Sequence, residues 1–203
     1  MMRFLLGFIL FLTPCIYSAQ TVLFSENFDL PSGPDSITDG YNAAVSPILG
    51  DTASEFSLSG DYSYRIKGSN LGTEVFFQTH AFSTIGYDFI KLEFGQISKL
   101  FQTNFGYLQI STDSGITWQL IDSLQYRGKD ESFPITNYFN QASYNNLGGG
   151  LWLPGFPFAK PDNSWWRSED FDLTGLANDT TNPGAVVGFN NVMVRFIAQF
   201  NSK

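Results

Sequence analysis

The segment from residue 111 to residue 118 carries the most specific arrangement of side chains in the sequence. Ser111, Asp113, Gly115 and Trp118 occupy the fixed positions of the pattern Ser/Thr-x-Asp-x-Gly-x-x-Trp. The carboxylate can accept hydrogen bonds from N–H groups of its own turn, the glycine can adopt a positive φ, and the tryptophan can pack beneath a hairpin. This chemistry closes a turn and drives no reaction, so we predict a structural role for the four residues.

Carboxylates are the second kind of group that could do chemistry. A retaining glycosidase needs two carboxyl groups about 5 Å apart, and an inverting one needs a wider pair. The sequence offers Glu93, Asp130, Glu131, Glu169 and Asp170. Glu131 and Glu169 flank an aromatic-rich segment and are the best candidates, but no two of these residues match a defined catalytic spacing. We therefore predict no catalytic residue and keep a glycan-active hydrolase as the alternative.

Aromatic side chains in a long stretch without strand pattern could bind a ligand. The stretch covers residues 127–166, and loops of this length inside a compact domain are usually functional. Its rings could stack on sugars, because aromatic faces contact the apolar C–H groups of a sugar ring. The residues that we predict to do so are Tyr138, Tyr144, Trp152 and Trp165. A lid that covers one sheet edge remains the competing interpretation of this insertion.

Short strands must position all these side chains. Apolar residues, several of them alternating with polar ones, occur in runs at 62–67, 74–78, 89–94, 106–110 and 192–198. Alternation is the period of a half-buried strand. Turn-forming residues separate the runs, and no window of eleven residues after position 20 shows a helical stripe. The 19 glycines and 9 prolines suit many short strands. We predict an all-β fold, with one antiparallel β-sandwich domain over residues 21–203.

The first 20 residues are typical of a secretory signal peptide. Arg3 precedes a short apolar run, and small residues lie near Ser18, as such signals require. The run is too short to cross a bilayer as a helix. We therefore expect a secreted or cell-surface protein whose mature chain has no transmembrane segment. Cys15 follows a proline where a lipoprotein signal has a small residue, and its lipidation remains an open alternative.

Composition excludes several partners. The formal net charge of −8 argues against nucleic acid, because binding to phosphates needs basic patches. The single histidine, His80, removes most histidine-based metal sites and makes acid–base catalysis by histidine a poor interpretation.

Several segments, taken in order, resemble one group of secreted modules. The opening at 23–29, the hairpin at 106–118, and the strand pair at 166–173 and 192–196 are similar to those of cleaved-adhesin, MAM-like and reelin-type modules. In that group the pattern at 111–118 is an Asp box. The modules belong to the concanavalin-like jelly rolls and occur in surface proteins of gliding, type IX-secreting bacteria. The resemblance covers about residues 22–200.

The resemblance implies a function and a fold. It implies a jelly-roll module of a larger extracellular protein that serves adhesion or recognition and binds a glycan or another protein. Such binding requires no cofactor. A ligand-free structural spacer remains the alternative within the same fold.

Two further expectations follow from the resemblance. It implies a structural Ca²⁺, for which Glu26, Asp29 and Asp61 would supply hard oxygen ligands; solvated surface carboxylates are the competing interpretation. Members of the group also continue with a closing strand after the strand at 192–199. This sequence ends at Lys203, so we expect either that the chain is a fragment or that the last strand is supplied differently. A missing last strand would leave an open edge beside the strand at 192–199.

The signal peptide is testable on the exported protein. We expect cleavage between Ser18 and Thr21, because small residues precede the bond that signal peptidase cuts. N-terminal sequencing of protein collected outside the expressing cell should begin at residues 19–21. An exported chain that still begins at Met1 would contradict this prediction, and a lipid-modified Cys15 in the mass spectrum would favour the lipoprotein alternative.

Overall fold

The computed structural model describes a set of segments that are rich in strands. These are residues 21–28, 37–42, 51–53, 57–58, 60–66, 72–97, 100, 103–121, 139, 166–174 and 185–201, with the backbone alone at 37–42 and 51–53. The strands are β1 Ile37–Asn42, β2 Asp51–Ala53, β3 Ser63–Arg65, β4 Thr73–Thr79, β5 Lys91–Gln96, β6 Phe105–Ser111, β7 Gln119–Leu120, β8 Arg167–Asp172 and β9 Met193–Phe200. Among the described residues, no helix is long and apolar enough to cross a membrane.

Five of the strands form one antiparallel sheet in the order β1-β4-β9-β6-β7. β9 lies at its centre, where Phe196 is paired with Phe77 of β4 on one side and with Leu108 of β6 on the other. The expectation of an open edge beside the strand at 192–199 is therefore wrong, because both edges of β9 already have hydrogen-bonded neighbours.

Two smaller antiparallel sheets complete the described structure. β5 pairs with β8 along its whole length, from Lys91 opposite Asp172 to Gln96 opposite Arg167, and β2 pairs with β3. Each of the five apolar runs in the sequence contains a strand, so the prediction of an antiparallel all-β structure is confirmed for the described residues. β1 and β2 were not predicted, since neither carries an apolar alternation.

Aromatic side chains join the β5–β8 sheet to the five-stranded sheet. Phe94 stacks on Phe171 within the small sheet, with ring centroids 5.9 Å apart, and meets Phe196 edge-on at 5.0 Å. Such edge-to-face pairs add to the stabilisation that burial provides. The buried residues around this contact form the main core: Ile90, Leu108, Ile110, Ile121, Phe139, Phe171, Leu173, Val186, Val192 and Val194.

The same aromatic series reaches the N-terminal segment. Phe196 stacks on Phe77 at 4.6 Å, Phe77 meets Tyr64 of β3 at 5.0 Å, and Phe28 contacts both Tyr64 and Phe77. Phe28 has φ +60°, which is an unfavourable conformation for a bulky residue. Its backbone N–H donates to Glu26 Oε1 at 2.8 Å, which helps to hold that conformation.

The core contact predicts different effects for two phenylalanines. Phe171 is fully buried and Phe89 is 63% exposed. Phe171→Ala should lower the free energy of unfolding by about 3–5 kcal/mol, because it opens a cavity between the sheets. The matched change Phe89→Ala should lower the free energy of unfolding by less than about 0.5 kcal/mol. Urea unfolding measures both, and similar costs for the two variants would contradict the placement of the core.

Candidate functional site

The aromatic residues predicted to bind a ligand lie outside the described residues. This holds for Tyr138, Tyr144, Trp152 and Trp165, whose role stays a prediction. Two residues of the 127–166 stretch are described. Phe139 is buried and exchanges two backbone hydrogen bonds with Gly106 of β6, at 2.6 and 2.7 Å. Trp166, just before β8, has a buried indole nitrogen without a hydrogen-bond partner.

The proposed calcium ligands are only partly described. Glu26 Oε1 accepts the hydrogen bond from Phe28, Asp61 lies exposed before β3, and Asp29 falls outside the described residues. Within the described segments, no group of three His, Cys, Asp or Glu side chains is arranged to hold a metal ion. The calcium site stays a prediction.

The turn from Ser111 to Trp118, which we call the 111–118 turn, is closed by its own side chains. Asp113 Oδ1 accepts from Thr117 N–H at 2.9 Å and from the Ser111 hydroxyl at 2.7 Å, and Asp113 Oδ2 accepts from the Thr117 hydroxyl at 2.6 Å. The Ser111 hydroxyl in turn accepts from Gly115 N–H at 2.8 Å. Every side-chain oxygen of Ser111 and Asp113 is thus engaged inside the turn.

Glycine and tryptophan complete the 111–118 turn. Ser114 and Gly115 both have positive φ, at +62° and +84°. The Trp118 indole N–H donates to the Gly115 carbonyl at 3.0 Å, and a Cβ at position 115 would lie 3.3 Å from the Trp118 ring. Glycine is therefore needed both for its conformation and for the space beneath the ring.

Trp118 also contacts the centre of the sheet through Arg195 of β9. The Arg195 guanidinium carbon lies 4.0 Å from the Trp118 ring centroid and 5.0 Å from that of Phe76. Two of its nitrogens donate to Gln109 Oε1, at 2.5 and 3.2 Å. Partial burial lowers the pKa of the guanidinium, and the carboxylate of Glu74 opposes this effect. Arg195 thus fastens the turn to the sheet through cation–π contacts and hydrogen bonds.

The connection from β4 to β5 lies at the same end of the sheets as the 111–118 turn, because β4 and β6 end where β9 begins. Thr84 holds this connection from inside. Its buried hydroxyl donates to the Val186 carbonyl and accepts from Phe189 N–H at 3.1 Å, while Thr84 N–H donates to the Phe189 carbonyl at 2.8 Å. The Ser114 N–H donates to the Asn191 carbonyl at 3.1 Å, so both loops dock on the segment before β9.

Three large apolar side chains project from the β4–β5 connection into solvent. Ile85 is 52% exposed, Tyr87 36% and Phe89 63%, and we call these three residues the apolar loop surface. Ile116, at the tip of the 111–118 turn, is exposed as well. A loop with this many anchors holds exposed apolar groups in place, which is a property of interaction sites.

Sequence reasoning missed this surface and treated Phe89 only as the start of a strand. The signal was the pattern Ile-Gly-Tyr-Asp-Phe at 85–89, in which large apolar residues alternate with turn-forming ones. The pattern shows that large apolar residues alternate with turn-forming ones, but it does not show whether other parts of the protein cover the apolar side chains.

The candidate catalytic carboxylates are only partly described. Glu169 is 1% exposed within β8, while Asp130 and Glu131 lie outside the described residues. Glu93 and Asp170 are opposite each other in register. The Lys91 ammonium lies between them, at 2.6 Å from Glu93 Oε1 and 3.2 Å from Asp170 Oδ2.

Comparison with known proteins adds no assignment. The chain matches no protein-family model, no curated protein and no solved structure. Its function must therefore be argued from the geometry of its own residues.

The 111–118 turn predicts an acid-sensitive contribution to stability. Hydrogen bonds from the Thr117 hydroxyl and N–H, and then from Ser111, lower the pKa of Asp113 from 3.8 to about 2. A carboxyl group whose pKa is lowered in the folded state stabilises the fold at pH values above its unfolded pKa. This stabilisation is lost as the pH falls through the folded pKa. The free energy of unfolding, measured with urea between pH 4 and pH 2, should therefore fall more steeply with pH for the unchanged chain than for Asp113→Asn. Parallel pH profiles for the two proteins would contradict this role.

Proposed function

We propose that the chain is a non-catalytic recognition module of the cell surface or extracellular space, and that it binds through the apolar loop surface. The observation that carries this proposal is the exposure of Ile85, Tyr87 and Phe89 on a loop anchored by Thr84. Exposed apolar groups are costly in water, and a cluster of them marks a site of interaction. An ordered loop also loses little further conformational entropy when a partner binds.

A jelly-roll sandwich is part of the proposal. Its support is the contact between two antiparallel sheets through Phe94 and Phe196, together with the side-chain hydrogen bonds inside the 111–118 turn. The likeness of the sequence to cleaved-adhesin, MAM-like and reelin-type modules, including the Asp box, points in the same direction. Export through the N-terminal signal and membership of a larger extracellular protein complete this interpretation.

The ligand class follows from what the exposed groups can contact. Tyr87 and Phe89 can stack on a sugar ring or insert into a protein surface, whereas Ile85 favours an apolar protein contact. The aromatic residues of the 127–166 stretch would add to a glycan site, and a structural Ca²⁺ would support the loops. The net charge of −8 argues against nucleic acid as a partner.

Two other functions receive less support. A hydrolase would need a pair of accessible carboxyl groups, and Lys91 occupies the space between Glu93 and Asp170. A ligand-free spacer would have no use for exposed apolar side chains on an anchored loop. Recognition is the function that accounts for the apolar loop surface.

The proposal predicts that binding depends on two rings. The purified chain would be applied to a glycan array, with Ca²⁺ and with chelator, and to an array of purified extracellular proteins. Tyr87→Ser/Phe89→Ser should weaken binding at least tenfold, because each ring buried against a partner contributes about 1.5–3 kcal/mol. Val22→Ser, which also removes an exposed apolar residue, should bind as the unchanged chain does.

Urea unfolding of both variants would verify that each is folded. Binding that survives the loss of both rings would contradict the proposed surface. A folded chain that binds neither array would contradict recognition itself and leave the spacer as the better account.

A further inference from the structure

We propose that the partner is a cationic protein segment, which lies across the apolar loop surface and the outward face of the β5–β8 sheet. This inference rests on the proposed recognition function and names the chemistry of its partner. We call the outward side chains Lys91, Glu93, Asp170 and Asp172 the acidic strand face.

Strand alternation makes the apolar loop surface and the acidic strand face continuous. Ile90 is buried and Phe94 packs against the core, so the side chains of alternate residues Phe89, Lys91 and Glu93 point outward. Phe89, two residues before β5, therefore belongs to the apolar loop surface and points to the same side as the outward side chains of that strand. On β8, Asp172 lies opposite Lys91 and Asp170 lies opposite Glu93, which brings the acidic groups beside the exposed ring.

The acidic strand face carries more carboxylates than ammonium groups among the described residues. Glu93 and Asp170 are cross-strand neighbours of like charge, and the ammonium of Lys91 contacts both carboxylates. Asp172 lies opposite the same lysine, and the exposed Asp88 immediately precedes Phe89. Within the described part of the chain, these four carboxylates and one ammonium give a net charge of −3 beside an exposed phenylalanine.

Charge complementarity identifies the occupant. A partner with Lys or Arg side chains could pair with the exposed carboxylates of Asp88 and Glu93, and its cations could also lie over the faces of Tyr87 and Phe89. A neutral glycan would gain nothing from the excess of carboxylates. Anionic lipid would be repelled by them. In a protein segment in which cationic and apolar side chains alternate, the cations can pair with the carboxylates of the acidic strand face. The apolar side chains of the same segment can pack against the apolar loop surface.

An NMR titration can test this partner directly. The ¹⁵N-labelled chain would be titrated with a synthetic octapeptide of alternating lysine and leucine, and with its counterpart that has glutamate in place of lysine. The lysine peptide should produce saturable shift changes concentrated at residues 85–93 and 168–172. Glu93→Gln should weaken its binding about twofold to fivefold, as expected for one exposed charge, and added salt should weaken it further.

A matched variant controls for the overall charge of the chain. Glu74→Gln removes one partly exposed carboxylate of β4, which lies outside the acidic strand face, and it should leave the affinity for the lysine peptide unchanged. Equal weakening by Glu74→Gln and Glu93→Gln would overturn the inference, because the attraction would then come from net charge alone.

The remaining outcomes separate this inference from the proposed function. Equal binding of the two peptides at residues 85–89 would overturn the cationic partner and leave recognition by the apolar loop surface intact. Shift changes spread over other faces, or no saturable binding of the lysine peptide, would also overturn the inference. The array experiment decides independently whether the chain is a recognition module.

Discussion

The contact between Phe94 and Phe196 joins the β5–β8 sheet to the five-stranded sheet. It is an edge-on contact between a ring of the β5–β8 sheet and a ring of the central strand β9. From Phe196 the contacts continue through Phe77 to Tyr64 and Phe28, and from Phe94 they continue to Phe171. Five strands (β3, β4, β5, β8 and β9) and the N-terminal segment are thus held by one series of aromatic contacts, which fixes how the two sheets face each other.

The position of β9 explains why one end of the structure can display loops in a defined arrangement. Three connections meet where β9 begins, and both side-chain and backbone hydrogen bonds tie them together. Thr84 binds the segment before β9 from one side, and the 111–118 turn binds it from the other. Arg195, from β9 itself, stacks on Trp118. The exposed apolar residues therefore project from an anchored framework.

The sequence predicted much of the fold, since a strand with one buried face leaves a period of two that is visible residue by residue. It also predicted the residues of the 111–118 turn, because local turn chemistry depends on neighbours only a few positions away. The place of β9 at the sheet centre was not predictable, because pairing across more than 100 residues leaves no local pattern. The apolar loop surface was missed for a related reason: alternation at 85–89 shows that two faces differ, while only the packing shows that one of them is uncovered.

Recognition by the apolar loop surface requires a loop that is ordered before any partner binds. Amide hydrogen exchange of the free chain measures this order. The N–H groups of Phe82, Thr84 and Phe189, which donate to backbone carbonyls or to Thr84, should exchange as slowly as those of β4 and β9. Exchange of these three amides at the rate of an unstructured chain would show that the loop is not ordered in the free protein and would contradict the proposed surface.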